Sequence, residues 1–68
     1  MRFEIPAEKA TRTTVSVYSI TGKRVDLIAD GFFDSGLHEV QWDASKYASG
    51  IYIIRLEIGT IVLVKQMS

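Results

Sequence analysis

The sequence predicts an all-β protein of six or seven short antiparallel strands, arranged as two sheets packed face to face. Three observations predict it. Apolar side chains recur at every second position through most of the chain, the period of a half-buried strand. β-Branched and aromatic residues dominate those stretches, and no apolar set recurs at helical three- and four-residue spacing for long enough. The five glycines, at 22, 31, 36, 50 and 59, fall between the apolar stretches, where turns call for positive φ. Two packed sheets are the natural way to bury so many half-apolar strands in a short chain.

The elements follow in order. A first strand is predicted over residues 2–6, with Phe3 and Ile5 on one face and Arg2 and Glu4 on the other. "AEKAT", residues 7–11, reads as a polar loop. The second strand, 12–19, sets Val15 and Val17 against Thr14 and Ser16. "TGKR" then ends like a phosphate-binding loop, but Val17 stands where that motif needs its first glycine and Arg24 where it needs Ser or Thr. A hairpin turn with Gly22 in a left-handed conformation is expected instead. A third strand, 23–29, places Val25 and Leu27 opposite Arg24 and Asp26, and a short extra strand is predicted at 31–34. In the fourth, 37–42, His38, Val40 and Trp42 oppose Glu39 and Gln41.

The last two strands carry the strongest signal. In 50–58, Tyr52, Ile54, Leu56 and Ile58 make one apolar face, while the other begins with Ile51 and Ile53 and ends with Arg55 and Glu57. The segment 60–67 is apolar on both faces until Lys65. "EIGTI" around Gly59 is short enough to join them as an antiparallel hairpin.

At 68 residues the chain makes one domain, near the lower limit for a core without disulfides or metal. Eight Lys and Arg balance eight Asp and Glu, which argues against a nucleic-acid partner, since phosphates require a basic surplus on one face. There is no cysteine, hence no disulfide framework or thiolate metal site. The longest apolar runs, 51–54 and 61–64, fall far short of the ~20 residues of a membrane helix. "MRFEIPAEKA" lacks the basic head and apolar stretch of a secretory leader.

No residue pattern predicts catalysis, a cofactor or a metal. His38 is the single histidine, and a zinc site needs three or four suitable ligands. Asp43 lies near Asp30, Asp34 and Glu39 in sequence, but a glycosidase-type carboxylate pair also needs a cleft. Asp43 is expected to close a turn in "WDAS" by accepting backbone N–H bonds. Phe32, Phe33 and Tyr47, placed in loop-like stretches, are expected to plug the open ends of the sandwich; stacking on a sugar or a partner protein is the alternative. "WD" occurs once, whereas a propeller repeats it. The β-prone runs 51–54 and 61–64 also allow self-association through edge strands.

Several stretches together form a known pattern: "RFEIP", "VSVYSITGKRV", "SGLHEVQWDAS", "ASGIYIIRLEIG" and a lysine near the end. Phe3, Pro6, Val17, Tyr18, Gly22, Val25, Gly36, Val40, Trp42, Asp43, Ser49, Gly50, Tyr52, Arg55, Leu56, Gly59 and Lys65 occupy its positions. In this ordered set the chain resembles, over almost its whole length, the C-terminal sorting domain (type A) of the type IX (Por) secretion system. The immunoglobulin-like module of flagellar hook-capping proteins is similar, but usually has a longer Gly- and Asp-rich loop where this chain has "WDASKYASGIY". The sorting-domain family commonly carries a lysine-rich, apolar tail after its last strand, whereas here the sequence reads "KQMS".

The resemblance implies a small immunoglobulin-like β-sandwich, residues 1–68, as the C-terminal module of a longer exported protein. It implies a non-catalytic signal that directs attached cargo through the periplasm and across the outer membrane, to secretion or the cell surface. The implied partners are the outer-membrane translocon and a sortase-like protease, with no cofactor. Gly50, Tyr52, Arg55, Gly59 and Lys65 are the positions expected to face the translocon. An accessory glycan- or protein-binding or spacer module of a cell-surface protein is the alternative.

Overall fold

The computed structural model describes residues 2–6 and 8–67, without the side chain of Met67; Ala7 of the predicted polar loop lies outside the described residues. Six strands appear: β1 (Arg2–Ile5), β2 (Thr11–Ser19), β3 (Arg24–Phe33), β4 (Gly36–Glu39), β5 (Tyr52–Ile58) and β6 (Ile61–Met67), with a 3-10 turn at Ala44–Lys46 between β4 and β5. They form an antiparallel sandwich of unequal layers. One sheet has four strands in the order β3-β2-β5-β6, and the other only β1 and β4.

Alternation places the core as expected. Phe3 and Ile5 from the small sheet meet Val15 and Val17 of β2 and Ile54, Leu56 and Ile58 of β5, all buried. β2 and β5 are the two inner strands of the large sheet, paired from Thr13↔Ile58 to Ser19↔Tyr52, so they carry most of this layer. Both predicted hairpins form. Gly22, with φ of 90°, closes β2–β3 through Gly22 N–H to Ser19 O at 2.9 Å. Gly59–Thr60 joins β5 to β6 as a two-residue loop between Ile58 and Ile61. Gly59 has φ of 58°, and among the described residues positive φ is confined to glycines, as a type II′ turn requires of its first central residue.

Several expectations are corrected. β3 runs unbroken to Phe33, so 31–34 is no separate strand, and Phe32 and Phe33 are strand residues. Its register against β2 shifts between Val15 and Ser16 and again between Val17 and Tyr18, leaving Ile28 and Val25 as extra residues on β3; such bulges bend a strand and let it stay paired with a shorter partner. The same shifts exchange the predicted sides of Asp26 and Leu27, while Val25 keeps its place against the core. Leu27, opposite Ser16, is exposed, while Asp26, opposite Val17, turns toward the core layer.

The fourth strand is shorter than 37–42. It pairs with β1 from Ile5↔Gly36 to Arg2↔Glu39, so its last described pair is with Arg2, while Pro6, which has no N–H to donate, bounds the ladder at the Gly36 end. Trp42 nevertheless reaches the core edge from the loop. Among the glycines, Gly31 lies inside β3, and Gly50 has no positive φ.

Candidate functional site

The loop between β4 and β5 folds three rings together at one end of the sandwich. Trp42 stacks on Tyr47 with centroids 5.2 Å apart and planes at 30°, and meets Tyr52 edge-on at 5.1 Å. Such offset and T-shaped contacts match the charge distribution of aromatic rings. Each ring's polar tip is held from within. The indole Nε1–H of Trp42 donates to Asp26 Oδ2 at 2.9 Å, Tyr47 O–H to the Val25 carbonyl at 3.4 Å, and Tyr52 O–H to the Ala48 carbonyl. The inward turn of Asp26, produced by the β3 bulges, supplies the acceptor that a half-buried indole needs. Burial, and then the charge of Asp26, raise the pKa of the Tyr47 hydroxyl above its ordinary value.

A 3-10 turn shapes the loop. Asp43 caps it, accepting from Ser45 N–H at 3.0 Å and from the Ser45 hydroxyl, and these bonds hold its carboxyl below the usual carboxylate range. This is the turn-closing role expected of Asp43. The rings, with Ser49 and Gly50, line an open cleft of about 400 Å³. Its chemistry is that of flat, rigid faces with their hydrogen-bonding tips already used, suited to contact rather than to proton transfer.

The five positions expected to face the translocon do not converge. Gly50 and Tyr52 line this cleft. Arg55 lies on the outer face of the large sheet beside Tyr18, Ile53 and Val64, at a shallow depression of about 300 Å³. Its Nε lies 3.4 Å from Glu57 Oε1 but off the line of a hydrogen bond, leaving this shielded N–H without a hydrogen-bond partner among the described residues. Gly59 sits at the far end of β5, its N–H bonded to Arg12 O at 2.9 Å. Lys65 is on β6 opposite Ile54, in a groove beside Phe3.

Phe33 packs against the core as expected, on Phe3 and His38 with centroids 5.8 and 5.0 Å away, whereas Tyr47 lies over Trp42 at the cleft. His38 stacks on Phe3, and its Nε2 lies 2.6 Å from the Asp34 carbonyl. Phe32 instead points outward and is exposed. Trp42 and Ser45 belong to the cleft, yet the sequence placed Trp42 on a strand and in the family pattern without marking it as a site residue. The five-residue steps between Trp42, Tyr47 and Tyr52 were the available signal, and strand periodicity is blind to them.

The described residues thus define a thin β-sandwich with a ring-lined end, its neighbouring carboxylates engaged in a cap and an indole bond. Comparison with known families gives that class a name. The family model of the secretion system C-terminal sorting domain matches residues 2–68, and the chain belongs to this family, whose members are C-terminal sorting signals of type IX secretion. No curated protein and no solved structure matches the chain significantly.

Proposed function

We propose that this domain is the C-terminal module of a longer exported protein and directs that cargo from the periplasm across the outer membrane, to secretion or the cell surface. The observation that carries the reading is the family match over residues 2–68. The partners are the outer-membrane translocon and the sortase-like protease that removes the signal, and the domain itself performs no catalysis. The two-residue turn at Gly59 and the ladder from Ile58↔Ile61 to Tyr52↔Met67 support a role as a folded, rigid label whose last hairpin is presented whole.

Within this reading the translocon meets Gly50 and Tyr52 at the ring-lined cleft. Arg55, Gly59 and Lys65 lie on other surfaces and act there or through the fold. Fusing residues 1–68 to a periplasmic reporter, in a host that has the secretion system, tests the proposal. The reporter should appear outside the outer membrane, and retention in the periplasm counts against it. Gly50→Val separates recognition from folding, because a Cβ at Gly50 meets nothing within 4 Å; the variant should fold normally and export poorly.

The cleft also supports a second reading, an accessory binding or spacer module of a surface protein. Glycan binding that is unchanged by Tyr47→Ala would remove its basis.

A further inference from the structure

The two sheets differ by two strands, and burial records where the cover ends. On the inner face of β5, Ile54, Leu56 and Ile58 are 2%, 1% and 5% exposed. Their partners one strand further out are Lys65, Leu63 and Ile61; Leu63 is 53% and Ile61 47% exposed. Cover is lost within a single step of the ladder. β4 lies toward β3, as the Phe33–His38 contact shows, so the edge of β1 not paired with β4 faces the β6 side. Between them runs a groove of about 250 Å³ whose walls include Phe3, Leu63 and Lys65.

Two features of this groove define its complement. β1 pairs with β4 alone, and in an antiparallel pair every second residue turns both its N–H and its C=O away from its partner. Half of β1 therefore presents donors and acceptors along the groove's upper rim. The floor is apolar at Leu63 and cationic at Lys65, two residues further along the same face of β6, and Lys65 has no ion pair among the described residues. Only an extended backbone can answer the rim at strand spacing while setting alternate side chains on the floor.

We propose that the free edge of β1 is a docking site for an extended segment of another polypeptide, which adds a third strand to the small sheet and covers β6. The segment carries an apolar side chain over Leu63 and, two residues away on the same face, a carboxylate at Lys65. This site is separate from the ring-lined cleft and does not rest on the export reading.

The test is a titration of isotope-labelled chain with an acetylated, amidated peptide, Thr-Ile-Thr-Val-Thr-Glu-Thr, followed by amide NMR shifts and hydrogen exchange. Shifts should fall on residues 2–5 and 61–66, and exchange at the edge amides of β1 should slow. Methylating alternate peptide nitrogens, with the side chains unchanged, should weaken binding about tenfold or more, since it removes the edge bonds. Lys65→Glu should weaken the peptide about threefold to fivefold and favour one with Lys in place of Glu to a similar degree.

Leu63→Asp should weaken binding while the far-ultraviolet spectrum stays unchanged, Leu63 being exposed in the free chain. Absence of shifts at millimolar peptide overturns the proposal, as do shifts confined to Tyr18, Ile53 and Arg55. If the chain alone, on concentration, gives the same β1 and β6 shifts with a doubled mass, the occupant is a second copy and the proposal is wrong.

Discussion

Gly50 and Gly59 show how differently two glycines of one motif are constrained. At Gly59, φ is 58° and an added Cβ would lie 3.3 Å from Thr11 Cγ2; at Gly50 the backbone is ordinary and the space open. An L-residue in the left-handed region costs about 1–2 kcal/mol. Gly59→Ala should therefore lower the unfolding free energy by about that much in urea, whereas Gly50→Ala should change it by about 0.5 kcal/mol or less. Asp43 supplies a second residue-level expectation. Its folded pKa lies below the ordinary 3.8 because the charged form accepts two bonds from Ser45. Its contribution is thus complete above the unfolded pKa and is lost as pH falls through the folded one. Between about pH 5 and about pH 2 the melting temperature of Asp43→Ala should fall less steeply than that of the parent chain.

At the scale of the element, the β5–β6 hairpin has two unlike strands. Leu56 and Leu63 stand opposite one another, yet one is 1% and the other 53% exposed. Truncating a buried leucine removes its transfer free energy and leaves a cavity, at a cost of about 2–5 kcal/mol. Leu56→Ala should approach the whole stability of so small a domain, while Leu63→Ala should cost about 1 kcal/mol or less; denaturant midpoints decide both. The apolar alternation of β5 was plain in the sequence, because the small sheet covers its inner face. β6 reads as equally apolar, but composition does not reveal whether a second sheet lies above it. β3 was misjudged for a related reason. Leu27 and Asp26 look correctly alternated, yet two bulges reverse them, and a bulge is set by the register against β2 rather than by the residues of β3.

The whole molecule measures 38 × 20 × 16 Å, a layer so thin that its ring-lined end and its aliphatic centre belong to one cooperative unit. Trp42 touches the core cluster and bonds to β3 through Asp26. Its fluorescence on thermal unfolding should therefore follow the far-ultraviolet signal with a single midpoint. Separate midpoints would mean that the β4–β5 loop melts independently of the sheets.

What the sequence alone determined is local. A two-residue period decides which side chains share a face, glycine decides where hairpins turn, and the ordered pattern from Phe3 to Lys65 identifies the sorting-domain family. Tertiary structure decided how six strands divide into two over four, which of two apolar strands is covered, and that Gly50 and Tyr52 line one cleft with Trp42 while Arg55, Gly59 and Lys65 do not. The division follows from the physics of sheets. Alternation and turns act between neighbours in the chain, whereas strand pairing and sheet cover join residues far apart, and their free energy appears only once the layers are assembled.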